Sequence, residues 1–272
     1  MVEPRYPGAF ETLIALGDCW DEDALEASRP QIMELSARIS RCHEHSSRFL
    51  SAAGSILNDT YRIALEFTDA AKIERYASRF ARRELGRGAS GRGRQSFRFL
   101  SGVTNQGLLR FDGTIQALAQ KIYLVEDPYG AASRLLLDQI RARALERGYD
   151  VIVCSCPLSP FDKAEHLIIP ELSLAVMSGN CTGLPQVKAC RTIHYTRFTD
   201  LEGLRAMRNR LGLNKKAALQ LLGRSCELLA EAKALHDELE RYYIAATDFE
   251  AVDLVTDALR EKILKKYHPS VG

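Results

Sequence analysis

The residues best suited to chemistry lie in one loop, Glu126-Asp127-Pro128-Tyr129-Gly130-Ala131-Ala132-Ser133-Arg134. It joins a short apolar run, KIYLV (121–125), to an amphipathic stretch, SRLLLDQIRARALERG (133–148). A loop leading from a strand into a helix is where an α/β protein holds a phosphate: the first backbone N–H groups of the helix lack partners, and its dipole favours anions. A phosphate loop of the form G-x-x-x-x-G-K-[ST] adds three things. Glycines let N–H groups curl round the phosphates, a Lys neutralises charge, and a hydroxyl holds Mg²⁺. In that frame the chain reads Glu126 to Ser133, and only Ser133 keeps the motif, with Gly130 displaced from either required glycine. Glu126 and Asp127 put acid beside the helix start. A like-charged pair about 4 Å apart costs on the order of 4 kcal/mol at an effective dielectric of 20, whereas the dipole contributes roughly 0.3–1 kcal/mol. An inward carboxylate therefore disfavours a triphosphate. The bland use of either acid is to cap the helix. Arg134 is a poor substitute for the missing Lys, because the next helical position turns away by about 100°.

Other constellations are weaker. His43-Glu44-His45 cannot share a metal on one helix face, since i,i+2 side chains diverge, and they read as a solvated face. His236 and Glu240 lie one turn apart and could share a metal, although an exposed helix pair accounts for them. Cys154 and Cys156 alternate along a strand, which puts both thiols on one face, and without C-x-x-C spacing they read as core. Cys181 and Cys190 flank a loop containing Gly and Pro. Tyr242 and Tyr243 follow a helical seam and read as interhelical packing. No Ser/His/Asp arrangement stands out.

The elements that must position the loop are legible from periodicity. Phe97–Val103 and Gly107–Phe111 bracket a turn, TNQ. Asp150–Cys154 and Leu167–Met177 read as buried strands, the latter interrupted by Pro170. With the 121–125 strand and the helix ended by Gly148, this is a βαβ unit with a parallel sheet. Upstream, Ile32, Leu35, Ile39, Cys42, Ser46, Phe49, Ala53, Ile56, Thr60 and Ile63 step by three and four, eight of ten apolar. That spacing is a long helix with a narrow seam. A second helix runs from the cap residue Asp69 to Leu85 and closes at Gly86.

Adding 179 to each seam position gives Leu211, Asn214, Ala218, Leu221, Ser225, Leu228, Ala232, Leu235, Leu239 and Tyr242, again eight of ten apolar. Asp21 lands on Asp200, Leu25 on Leu204, Arg62 on Arg241, and Thr68-Asp69 on Thr247-Asp248. Across 14–85 there are twelve identities in 72 positions and no gaps. Shared seam and caps point to an internal repeat with a unit near 180 residues. The second copy fits whole, from about 97 to 268, whereas the first has only its helical tail, so the chain reads as beginning halfway through a duplicated protein. Between them lies GRGASGRGRQS (86–96), which reads as a flexible surface linker with Arg87, Arg92 and Arg94 exposed.

Composition sets the outer bounds. The 272 residues are 46% hydrophobic and 26% charged, an ordinary globular balance. Lys+Arg total 37 against 35 Asp+Glu, so no strong field steers the chain toward nucleic acid or an acidic membrane. No apolar run reaches a membrane span, the start MVEPRYPGAF has no signal pattern, and seven scattered Cys fit a reducing cytoplasm.

From Phe99 to Leu264 the chain resembles a bacterial family of tandem P-loop ATPases of nucleotide-kinase-like character. The stretches that carry the resemblance are FLSGVTNQGLLRF (99–111), ALERGYDVIVCSCPLSP (144–160), HLIIPELSLAV (166–176) and EAKALHDELERYYIAATDF (231–249). RYPGAFETLIALGDCWDE (5–22) is similar to the junction after a first core. The resemblance implies two fused nucleotide-binding cores, each followed by a helical hairpin, with ATP and Mg²⁺ as cofactors. Its pattern puts Gly, Lys and Ser/Thr at 131, 132 and 133, where this chain has Ala131, Ala132 and Ser133. A later strand would end in Asp then Gly-Thr, where Ser178-Gly179-Asn180 stand. A His-Cys pair becomes Ser155-Cys156.

The expected fold is α/β, a P-loop NTPase-like parallel sheet with helices, flanked by two helical hairpins related by the repeat. Residues 1–86 form the first hairpin, 87–96 the linker, 97–190 the degenerate core and 191–272 the C-terminal hairpin. The site expected for nucleotide is Asp127 to Arg134, binding ATP weakly or not at all, with no catalytic residue and no metal ligand of its own. The alternative is a non-catalytic scaffold or regulatory pseudo-ATPase acting through helical contacts with a protein partner or a second copy. A nucleic-acid or membrane partner is not expected, and the expected compartment is the cytoplasm.

Overall fold

The computed structural model describes residues 6, 8, 9, 11–86, 88 and 91–267. Its helices are α1 (Glu22–Ala27), α2 (Arg29–Glu66), α3 (Ala70–Glu84), α4 (Asp112–Leu118), α5 (Ala131–Glu146), α6 (Leu201–Ala206), α7 (Arg208–Ala245) and α8 (Phe249–Tyr267). The strands are β1 (Gln95–Arg98), β2 (Ser101–Thr104), β3 (Gly107–Arg110), β4 (Lys121–Glu126), β5 (Val151–Cys156), β6 (Ser159–Ile169), β7 (Leu174–Gly179) and β8 (Arg191–His194). The chain divides into two compact units, residues 42–230 and, separately, residues up to 41 with those from 231 onward. Among the described residues no helix is long and apolar enough to cross a membrane.

The larger unit is α/β. Its six-stranded sheet has the order β1-β5-β6-β7-β4-β8, and β2 and β3 form a separate antiparallel ribbon. The sheet corrects the expectation of a parallel one. β6 runs antiparallel to both β5 and β7, while the β1–β5, β7–β4 and β4–β8 pairs are parallel. The cause is local: β5 turns straight back into β6, and β6 turns into β7 through the one-turn 3-10 helix Pro170–Leu172. Both connections are too short for a crossover. The sixth strand, at 191–194, lies beyond the expected edge of the core at 190.

Both sheet faces are covered. On one side α5 and α3 enclose Tyr76, Phe80, Leu136, Ile140, Val153 and Val176; on the other, Ile115 of α4 packs with Leu124, Ile168 and Met177. α3 is capped by Asp69, which accepts from Lys72 N at 2.8 Å. Its other end is pinned to β4 by Glu84, which accepts from Tyr123 Oη at 2.7 Å and Lys121 Nζ at 3.4 Å.

The segment expected to be a free linker is tied down where it is described. Gly93 N donates to Leu145 O at 2.8 Å, and Arg94 N donates to Asp150 Oδ1 at 2.7 Å. A Cβ on Gly93 would sit 1.9 Å from the Tyr149 carbonyl oxygen, and one on Gly88 1.7 Å from that of Arg147. These glycines allow close backbone approach rather than looseness. Arg87 lies outside the described residues.

α2 and α7 are each 38 residues long, and their first and last residues differ by 179 in number. None of the twenty seam residues read from the sequence is exposed. In the larger unit the seams meet at Ser46 and Ser225, whose buried hydroxyls share a hydrogen bond of 2.7 Å. Arg210 and Asn214 reach Asp59 across the same pair of helices. Thr68 forms a β-bridge with Thr199, and Asp69 N donates to Phe198 O at 2.7 Å. In the smaller unit, Trp20 bridges Thr247, Asp248 N donates to Cys19 O at 2.9 Å, and the Trp20 ring meets Tyr243 edge-on at 5.3 Å. These two sets of main-chain contacts correspond residue by residue at the 179 offset.

Removing one hydroxyl of the Ser46–Ser225 pair strands the other in an apolar seam, whereas removing both does not. Ser46→Ala or Ser225→Ala alone should cost about 1–3 kcal/mol in urea unfolding. The double variant should recover most of that loss. Additive single effects would contradict the pairing.

Candidate functional site

The loop after β4 is organised by its two acids in different ways. Glu126 accepts from or pairs with His194 Nδ1 on the edge strand β8 at 2.9 Å. Asp127 is buried, and its N–H donates to Gly179 O at the end of β7, at 2.9 Å. Its Oδ1 accepts from Tyr129 N at 3.1 Å and its Oδ2 from Ser133 N at 2.8 Å. Asp127 therefore places a carboxylate on Ser133 N in the first turn of α5, where a bound anion would compete for it. Gly130, immediately before α5, has φ +81°, a left-handed turn that bends the chain from Asp127 into the helix.

The rest of the expected site splits up. Ala132 is buried in the apolar core with Leu136 and Val153, and Ala131 packs with Ile63, Ala64 and Leu204. Pro128, Tyr129, Gly130 and Arg134 instead line a cavity of about 60 Å³. At roughly 10–15 Å³ per water, that is room for a few waters. Tyr129 stands edge-on to Tyr195 at 5.4 Å, and the Arg134 guanidinium lies 4.6 Å over the Tyr61 ring. Arg134 thus packs against Tyr61 of α2.

The cavity sits where the segments after β4, β5 and β7 converge, the carboxyl edge at which α/β sheets hold ligands. Its charged residues besides Arg134 come from β6. Lys163 and Glu165 line it, together with Cys156, Cys181 and Asn180. Glu165 accepts from Ser101 Oγ at 3.0 Å and from Asn180 Nδ2 at 2.9 Å. Burial pulls the Lys163 ammonium down, but the negative groups around it, Glu165 and Asp127 among them, hold it above its ordinary value, so it stays charged. Burial pushes the Cys156 and Cys181 thiols up, against the pull of Lys163, which leaves them poor nucleophiles. Cys154, pushed up to about 11 by burial, belongs to the apolar layer with Ile168 and Met177, whereas Cys156 lines the cavity. The two thiols thus serve different surroundings, and the ladder between β5 and β6 is irregular on both sides of Ser155.

Behind Glu165 lies His166, fully buried. Ser178 N donates to its Nδ1 at 3.2 Å, so the neutral ring carries its proton on Nε2, which has no acceptor among the described residues. The nearest carboxylate, Glu165 Oε2, is 3.8 Å away. Burial first, and Arg110 and Lys163 after it, lower the His166 pKa to about 4 against the opposing pull of Glu165 and Asp112.

Sequence reading missed Lys163, Glu165 and His166. The available signal was three polar residues inside an otherwise apolar run ending HLII, with no motif to mark them. Elsewhere, His236, Asp237 and Glu240 bring ligand atoms within 4.8 Å of one another. His236 and Glu240 are exposed and Asp237 is already paired with Lys233, which fits a solvated helix face. His43, Glu44 and His45 are exposed, with Glu44 paired to Arg48. No protein-family model, curated protein or solved structure matches the chain.

The His166 shift has a sign that can be measured. The unfolded chain takes up a proton near pH 6.5, while folded His166 does so only near 4. Stability therefore falls as pH drops through that window, by on the order of 3 kcal/mol from this group. Urea unfolding of wild type and His166→Gln should differ by an amount that moves toward the variant between pH 7 and 4. A constant difference would exclude the buried neutral ring.

Proposed function

We propose that the chain is a degenerate relative of P-loop ATPases of nucleotide-kinase-like type, with a duplicated helical part, that does not hydrolyse ATP. The observation that carries this reading is the Asp127 carboxylate on Ser133 N at 2.8 Å. A triphosphate would have to displace an anion that is covalently part of the loop and leave it buried without donors, at a cost of a few kcal/mol.

The other residues do not fit MgATP either. Ala132, in the frame position of the lysine, is closed into the core, and the strand end at 178–180 carries Ser, Gly and Asn rather than a carboxylate. Asn180 is already committed to Glu165. Duplication is supported by the 179 offset at both ends of both long helices and by Ser46 meeting its own counterpart.

A second reading, a non-catalytic interaction protein, is favoured by one contrast. α3 buries Ile73, Tyr76, Ala77, Phe80 and Ala81, whereas no residue described on α8, its counterpart, is buried. The long seams are already covered within the chain, so contacts with a partner fall to other surfaces.

Calorimetric titration of the full chain with ATP and Mg²⁺ tests the first reading. No saturable binding in the micromolar range is expected, with or without Ser133→Ala. Micromolar binding abolished by Ser133→Ala would overturn it. Asp127→Ala should lower stability by about 0.5–2 kcal/mol, the worth of a helix cap. An unchanged urea midpoint would show that the carboxylate does not serve as one.

A further inference from the structure

We propose that α8 pairs with α8 of a second copy of this chain, antiparallel, making the protein a homodimer. This goes beyond the reading of the loop and stands whether or not nucleotide binds there.

Among the described residues, α8 has an apolar stripe that none of them buries. Phe249, Val252, Leu259 and Ile263 follow one another at coiled-coil spacing, with Thr256 between them. Phe249 is 57% and Ile263 48% exposed, and Val252 and Leu259 are only half-buried. The stripe meets the size and spacing demands of a helix partner.

Charge identifies the partner and its direction. Residues 249–258 carry Glu250, Asp253 and Asp257 and no cation, whereas 259–266 carry Arg260, Lys262, Lys265 and Lys266 against one acid, Glu261. Side by side in parallel, two such helices set like charge on like. Antiparallel, each acidic half lies along a basic half, and the same surface serves both copies, as a two-fold contact requires. With Val252 of one copy over Ile263 of the other, Asp253 comes opposite Arg260 on the flank of the stripe. Acid early and base late in a helix also suit its own dipole, so the decisive observation is coupling between the two ends rather than either end alone.

Light scattering on the full chain at tens of micromolar should give twice the 30.4 kDa chain mass. Ile263→Asp should give the single-chain mass with unchanged helical circular dichroism, because position 263 is open to solvent in the chain. Asp253→Arg and Arg260→Asp should each weaken the dimer about tenfold, and the combined swap should restore it. Three results would overturn the proposal: a monomer throughout this range, a dimer that survives Ile263→Asp, or a swap no better than its worse single variant. Recovery of a different protein on α8 in place of a second copy would overturn it as well.

Discussion

The contact between Asp127 and the first turn of α5 organises everything around the loop. A helix start presents N–H groups that must find an acceptor, and in a strand-to-helix loop the acceptor comes either from a ligand or from the chain. Here Oδ2 of Asp127 supplies it, six residues before its partner Ser133. The left-handed turn at Gly130 brings the two together, and the bond from Asp127 N to Gly179 O fixes the aspartate backbone against β7. An internal carboxylate needs no concentration to stay bound. An external phosphate competing for the same donors would also meet that carboxylate's charge.

With the helix start filled, the cavity beside it acquires its character from β6. Because β6 runs opposite to its neighbours, its first residues rather than its last lie at the edge where β4, β5 and β7 end. A wholly parallel sheet would present loop residues there. The antiparallel strand instead brings Lys163 and Glu165 to the cavity and sets His166 against the β7 backbone at Ser178. The reversal of one strand thus decides which side chains meet at this edge. Glu165 is steadied by Ser101 and Asn180, and Lys163 remains a charged group among two thiols and two acids, an arrangement that favours fixed dipoles over a reactive nucleophile.

What could be read from the sequence follows the range of the forces involved. The two long helices were legible because their period is local and unbroken, and Asp69 announced the start of α3 through a carboxylate three residues from the N–H it accepts. The start of α5 carries no such short-range mark, since its carboxylate, Asp127, lies six residues before the N–H it accepts. β6 was not, since an apolar run fixes burial and leaves direction to the connections at either end. Lys163 stayed hidden because its site is made by topology, thirty residues away from the loop it faces. The glycines at 88 and 93 looked like slack chain and proved to be close contacts with the α5–β5 turn, a fact no composition argument contains.

The two hairpins carry the same lesson at the level of packing. Their long helices share length and seam, and a buried Ser–Ser pair in an apolar seam fixes the antiparallel register by penalising any slip that separates the hydroxyls. The short helices that follow diverge. α3 approaches α5 through the small residues Ala77 and Ala81, both fully buried. At the 179 offset α8 has Thr256 and Arg260 in their places. A guanidinium cannot enter a contact shaped for a methyl group without losing its water. α8 is therefore unsuited to the close packing that α3 makes, and its surface pattern, apolar in the middle and opposite in charge at its ends, suits a looser pairing between helices.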